Sequence, residues 1–284
     1  MTSAAAPELI LTLSCPDRPG IVHAVTGLIA GYGGNVVQSQ QFGDHETGQF
    51  FMRVHLAGAS REAMEGGMMG LAERFGMQYQ VNELGRPLRT IIMVSKDGHC
   101  LTDLLFRHRS QGLAIEPVAV VGNHTDLQPI AEFYGVPFHH VPVTRETKPQ
   151  AEQQLLDLVA ATEAELVVLA RYMQILSDRV CEELAGNVIN IHHSFLPSFK
   201  GARPYAQAHE RGVKIIGATA HYVTADLDEG PIIEQDVARV THADDVASLV
   251  AIGQDVERRV LAQAVKWHCD HRVLLNGSRT VVFA

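Results

Sequence analysis

Residues 187–192 read NVINIH, and this short run decides the class of fold. Val188, Ile189 and Ile191 put apolar side chains on both alternating faces, the pattern of a strand covered on either side in a parallel sheet. RTIIMVS (89–95), EPVAVVG (116–122) and ELVVLA (165–170) share that texture. Helical segments are expected between them, near 99–112, 126–134, 149–163 and 174–185. Strand alternating with helix predicts an open, mostly parallel, doubly wound α/β sheet. KIIGATAHYV (214–223) and GPIIEQDVARV (230–240) read as two further strands joined by TADLDE. A last helix is expected from THAD (241–244), a capping-box match, with Val246, Leu249, Val250, Val256, Val260 and Leu261 on its apolar face.

The first part of the chain reads differently. ELILTLS (8–14) is a short apolar strand. Ile21, Val22, Val25, Leu28 and Ile29 then recur at helical spacing until Gly33-Gly34. NVVQSQQF and GQFFMRVHL flank GDHET as a hairpin. Residues 60–76 make a second helix capped by Ser60, and MQYQVNEL a last strand. The order βαββαβ is ferredoxin-like. The expected division is 1–84 for this domain, a linker at 85–89 (GRPLR), and 90–284 for the α/β domain.

Composition narrows the function classes. The chain has 284 residues, 46% apolar and 19% charged, with net charge −9. The charge argues against a nucleic-acid footprint, and no apolar run is long enough to span a membrane. MTSAAAPELI lacks the basic and apolar regions of a secretory signal. Cysteines at 15, 100, 181 and 269 form no C-x-x-C pair, so a reduced, cytoplasmic protein is expected. A local basic cluster, Lys200, Arg203, Arg211 and Lys214, would suit either an anionic small ligand or a solvated helix face. His139-His140 and the HCDH run at 268–271 complete no zinc set, and on a C-terminal helix His268 and His271 read as a solvated polar face.

The NVINIH strand also ends in chemistry. Ligands in open α/β sheets bind outside the carboxyl ends of the strands, and Asn190 and His192, two apart, project to one side. Thr219 and His221 share a face of the later strand. Asp226, Asp228 and Glu229 crowd the loop after it, either as solvated turn carboxylates or as partners of His192. A neutral amide donor beside a developing oxyanion is worth roughly 2.7–4 kcal/mol in a dry site. An imidazole can polarise a carbonyl or pass a proton, and an aspartate beside it raises its pKa and can orient water. Ser194 lacks a nucleophile-elbow context. The set suits direct acyl chemistry on a small carbonyl, with no covalent intermediate.

NVINIHHSFLPSFKGA (187–202) with GATAHYVTADLDEGPII (217–233) closely resembles the formyltetrahydrofolate-dependent formyl-transferase family, with 38 positions from Asn190 to Asp228. LARYMQILS (169–177) is similar to that family's third motif. The resemblance implies Asn190, His192 and Asp228 as catalytic residues. It implies Met173, Gln174 and Leu176 together with Val223, Thr224, Ala225 and Asp226 as folate-binding residues. Asn190 and His192 would stabilise the oxyanion while Asp228 keeps His192 protonated and orients or relays a proton from water. No metal or redox cofactor is called for, the folate being the substrate.

CPDRPGIVHAVTGLIAGYGGNV (15–36) resembles an ACT domain, and this order of domains is the layout of the formyltetrahydrofolate deformylases, which are hydrolases. SKDGHCLTDLL (95–105) is a poor phosphate cradle, and His193 stands where glycinamide ribonucleotide transferases usually have Pro. Arg203 departs from the Asn expected of the deformylases. A formyl transferase acting on an amine, or a folate or amino-acid sensor without catalysis, is the alternative. The resemblance further implies formate supply to purine synthesis, a glycine or methionine effector contacting Asp17, Arg18, Pro19 and Gly20 at an inter-subunit interface, and a homo-oligomer, dimer or tetramer.

Overall fold

The computed structural model describes residues 8–194 and 204–284, in two units. The first runs to Arg86 and takes in Asp270–Ala284 as well; the second is Pro87–Cys269. In the first, β1 (Leu9–Pro16), α1 (Ile21–Gly31), β2 (Asn35–Asp44), β3 (Gln49–Ala57), α2 (Arg61–Phe75) and β4 (Gln78–Glu83) follow the expected βαββαβ order. The antiparallel sheet has the order β2-β3-β1-β4. Ser60 caps α2, its hydroxyl accepting from Ala63 N at 3.2 Å. Leu11, Leu13, Met52, Val54 and Leu56 meet Val25, Ile29, Met64 and Met68 in one apolar core.

The second unit contains β5 (Leu88–Val94), α3 (His99–Arg109), β6 (Ile115–Gly122), α4 (Gln128–Tyr134), β7 (Phe138–His140), α5 (Lys148–Thr162), β8 (Leu166–Leu169), α6 (Asp178–Glu183) and β9 (Val188–His192). They are followed by α7 (Pro204–Glu210), β10 (Ile215–Tyr222), β11 (Ile232–Arg239) and α8 (Val246–Cys269). The sheet order is β11-β10-β9-β8-β5-β6-β7. Strands β5 to β9 are parallel, and β10 and β11 are antiparallel additions. Ile91, Met93, Val167, Leu169 and Val188 pack against Leu155, Leu156 and Val180. Burying each large aliphatic side chain contributes about 1.5–3 kcal/mol.

Four expectations need correction. The helix foreseen near 174–185 is only Asp178–Glu183, because the amides before it are drawn elsewhere. Met173 N donates to Ser95 Oγ (2.9 Å) and Ser177 N to Glu152 Oε1 (2.8 Å). Helix α8 starts after THAD: Thr241 N donates to Asp244 Oδ2 in a separate turn, and Asp245 Oδ1 accepts from Ser248 N. Leu88 and Arg89, expected in the linker, are already in β5.

The fourth concerns residues 270–284. The sequence reading gives them to the α/β domain, yet they group with the first unit as a hairpin, β12 (Val273–Asn276) and β13 (Arg279–Val282). The reason is polar. Arg53, 2% exposed, donates to Asp270 O (2.9 Å from Nη2) and His271 O (3.1 Å from Nε), and Asn276 Nδ2 donates to Asp44 Oδ2 (2.7 Å). A buried guanidinium without acceptors is costly, so β3 requires this segment. Replacing Arg53 by Leu should cost about 2–3 kcal/mol through the orphaned carbonyls. Hydrogen exchange is expected to accelerate across 273–282 and not across β1–β3; hairpin amides that stay protected would contradict this.

Candidate active site

The direction of chain progression reverses between β5 and β8, where an open α/β sheet forms its crevice. The loops leaving these strands are tied together. Besides the Met173–Ser95 bond, Arg171 Nη2 donates to Asp97 Oδ2 (3.1 Å). Glu152 fixes the far end of the 170–177 loop by accepting from both Ser177 N and Ser177 Oγ (2.6 Å). Burial, then the charge of Glu152, raises Tyr172 to about 12, so it stays a phenol.

Register supplies the next element. His192 lies opposite Thr219 and Asn190 opposite His221 in the β9–β10 pairing, so all four share one face of the sheet. Asn190 Nδ2 donates to His221 Nε2 (3.2 Å), and His221 Nδ1 donates to the Tyr222 carbonyl (2.9 Å). Thr219 is fully buried; its hydroxyl donates to Ser194 O (3.0 Å) and accepts from Gln235 Nε2 (2.9 Å).

Because β10 is antiparallel to β9, Tyr222 ends beside Ile189, at the start of β9. The following loop must travel back along the sheet for Asp228 to reach His192. Gly230 permits the return: a Cβ there would stand 1.8 Å from the Tyr222 carbonyl oxygen. Asp228 adopts φ 56°, a left-handed conformation that Asp tolerates better than most residues. Its Oδ2 then lies 3.3 Å from His192 Nδ1, and its Oδ1 3.7 Å from His221 Nε2. The contact with His192, then that with His221, holds this carboxyl well below the usual carboxylate range despite burial. His192 Nε2 is buried and meets no hydrogen-bond partner among the described residues.

These groups line a cleft of about 220 Å³. Asn190, His192 and Asp228 stand at one part of its wall. Met173, Gln174 and Leu176 come from the loop after β8, and Val223, Thr224, Ala225 and Asp226 from the loop after β10. The structure therefore brings the anticipated catalytic and folate-binding residues to one cavity. The turn at 195–203, with Lys200 and Arg203, lies outside the described residues.

Sequence reasoning leaves His221, which pairs with Asn190, outside the site, along with Arg171 and Glu257. Signals existed for each. His221 pairs with Asn190 once the hairpin register is known. Arg171 interrupts the apolar end of LVVLA. Glu257 falls on the apolar stripe of α8 between Val256 and Val260, where a carboxylate is out of place.

Of the other imidazoles, His193 also borders the cleft, whereas His139, His140 and His268 do not line it. His139 and His140 are exposed on β7. His268 is not simply solvated: it is half-buried, and its Nδ1 shares a hydrogen bond with Tyr222 Oη at 2.7 Å. His99, Cys100 and Glu257 bring potential metal-ligand atoms within 4.8 Å of one another. However, Glu257 already accepts from His99 Nε2 (2.9 Å) and Tyr205 Oη (2.6 Å), and the Arg171 guanidinium 3.4 Å away opposes a second cation. The four cysteines are buried free thiols, and among the described residues no helix is long and apolar enough to cross a membrane.

Comparison with known proteins decides the family. Residues 88–265 match the formyl transferase model and residues 9–64 the ACT domain model. A formyltetrahydrofolate deformylase of Corynebacterium sp. (strain P-1) is 53% identical, over 96% of this chain and 97% of the relative. The chain belongs to the formyltetrahydrofolate deformylase family. The Escherichia coli (strain K12) deformylase is 42% identical over 96% of this chain and 97% of its own. The crystal structure of the Burkholderia mallei deformylase superposes with a TM-score of 0.95 at 49% identity, covering 98% of this chain and all of that one. Glycinamide ribonucleotide transformylase 1 of Symbiobacterium toebii matches 71% of this chain and 97% of its own, at TM-score 0.66 and 28% identity. Deformylases thus share the two-unit arrangement of this chain, and the transformylase shares a smaller part of it.

The low position of Asp228 has a consequence for stability. A depressed carboxyl contributes stability that is fully present above its ordinary value of 3.8 and is lost as pH falls toward its folded value. The stability difference between the native protein and Asp228→Asn should therefore be largest near neutrality and shrink below about pH 4. Urea unfolding across pH measures it, and a difference that grows on acidification would refute the assignment.

Proposed function

We propose that this protein hydrolyses 10-formyltetrahydrofolate to tetrahydrofolate and formate, with Asn190, His192 and Asp228 as its catalytic residues. The observation that carries this reading is the two-sided state of His192: Nδ1 faces an ionised carboxylate, and Nε2, at the cleft, has no hydrogen-bond partner among the described residues.

An ionised Asp228 is a weak base, so its part is to hold the Nδ1 proton of His192. That leaves the Nε2 lone pair to accept a proton from water as the water oxygen bonds to the formyl carbon. Asn190 has one amide hydrogen engaged by His221 and a second available to the oxyanion. The new Nε2 proton also faces the oxyanion, which unites this step with the oxyanion role foreseen for His192. As the carbon–N10 bond breaks, that proton passes to N10, and the product leaves as formic acid, ionising in solvent. The loops 173–176 and 223–226 would clasp the pterin. No metal enters these steps, and the folate is the substrate.

The ACT unit is proposed to bind an amino-acid effector, glycine or methionine, at the turn Asp17–Gly20. The turn is exposed and firmly built: Asp17 N donates to Gly48 O (2.8 Å), Arg18 lies over Phe75 with 4.5 Å to its ring centroid, and Gly20 caps α1 at φ 96°. A homo-oligomer paired through these units, a cytoplasmic location and a contribution of formate to purine synthesis complete the proposal.

Incubation with 10-formyltetrahydrofolate and no amine acceptor should release formate. His192→Ala and Asp228→Asn are each expected to lower kcat by about 100-fold or more with the fold retained by circular dichroism. Native-like turnover in either variant, or formate release only on adding an amine, would overturn the reading.

A further inference from the structure

The mechanism leaves unused the most deeply buried carboxylate of the second unit. Glu257 is 1% exposed on the apolar face of α8. Burying a carboxylate is expensive unless it is closely paired, and replacing such a pair with apolar side chains is often neutral or stabilising. Here the pairing is elaborate. His99 Nε2, Tyr205 Oη and the Arg171 guanidinium converge on the two oxygens. Gly253, one turn earlier on α8, leaves room for the Tyr205 ring: a Cβ there would lie 2.1 Å from its hydroxyl. Arg171 itself sits at φ 64°, an unfavourable conformation for a residue with a side chain. A buried acid and a strained backbone together indicate a geometry maintained for use rather than for packing.

What they maintain is the reach of the Arg171 guanidinium. One Nη donates to Asp97, and the other contacts His193 Nδ1. A guanidinium has no acceptor, so His193 Nδ1 must carry a lone pair and its proton must sit on Nε2. The His193 ring lies nearly parallel to that of His192, at 16° with centroids 5.0 Å apart, and it borders the cleft. Glu257 and Asp97 flank Arg171, so their negative charges offset its positive one.

We propose that Arg171, fixed by Glu257 and Asp97, is a positioning residue that holds His193 as a neutral imidazole, the uncharged surface against which His192 becomes imidazolium during the reaction. Were His193 also charged, two stacked cations would oppose the transfer of the water proton to His192. Burial, then the charges of Arg171 and His192, push His193 down to about 4, against smaller opposing effects of Glu257 and Asp228. Among the described residues, the groups facing His193 are thus Arg171 from the loop after β8, His192 from β9, Glu257 from α8, Asp228 from the loop after β10 and, at 6.5 Å between rings, Tyr205 from α7. This inference rests on His192 being the proton carrier.

The test uses the full chain. In Arg171→Met, His193 is free to protonate, so the acid limb of the kcat–pH profile should move up by about one unit or more. At its optimum kcat should fall about 10–100-fold with KM little changed. Arg171→Lys, which keeps one donor, should restore part of the acid limb. With Phe in place of His193, a stacking surface that cannot charge, the Arg171→Met shift should vanish. A profile for Arg171→Met that superimposes on the native one after scaling would make the cluster a structural ion pair and overturn the proposal. Should Arg171→Met fail to fold, the native protein still decides: nitrogen NMR of labelled histidine must show His193 with Nδ1 unprotonated and no titration above about pH 5. A His193 that titrates near neutrality overturns it. A native enzyme that releases no formate would instead sink the parent reading.

Discussion

The site depends on the antiparallel pairing of β10 with β9. In a sheet otherwise parallel from β5 to β9, a sixth parallel strand would have needed a crossover and would have arrived with its own carboxyl end beside His192. Reversing β10 does something else. It sets Asn190 against His221 and His192 against Thr219, so each of these cleft side chains gains a cross-strand neighbour that limits its rotation. It also forces the return loop that delivers Asp228, with Gly230 close against the Tyr222 carbonyl. One register carries the amide, the imidazole and the carboxylate; a slip by one residue would turn Asn190 and His192 to the opposite face.

Preorganisation continues outward. The loop after β8 is held at three points, where Arg171, Met173 and Ser177 bond to Asp97, Ser95 and Glu152, all outside the loop. Such supports let apolar Met173 and Leu176 line the cavity without ordering cost on binding, since the backbone beneath them is already bonded. The same bonds explain why a segment with a helical pattern is irregular: its amides have better acceptors than the preceding turn.

Much of this was legible in the residues alone. The buried strands, the ferredoxin-like order and the placing of Asn190, His192 and Asp228 came from periodicity and spacing joined to a family resemblance. Contact between Asp228 and His192 could not be read, because it depends on how the loop folds back after a reversed strand. The Arg171–Glu257 pair escaped for a related reason. Its partners are 86 positions apart, and a charged residue in an amphipathic helix is ordinarily solvated. Residues 270–284 were misassigned because their hold on the first unit joins positions more than 200 apart, through carbonyls that carry no sequence signal and through polar side chains such as Asn276 that read as an ordinary turn.

That hairpin gives the chain a nested plan. The α/β unit is an insertion within the ACT unit, entered at Pro87 and left after Cys269. During synthesis the βαββαβ segment emerges first, but the acceptors for Arg53 are made only after the whole α/β unit, 217 and 218 positions later. The first unit must therefore wait with a buried-to-be guanidinium unsatisfied, and closing so long a loop carries the entropy cost of a distant contact. Completion of the ACT unit is in this way timed to follow synthesis of the α/β unit.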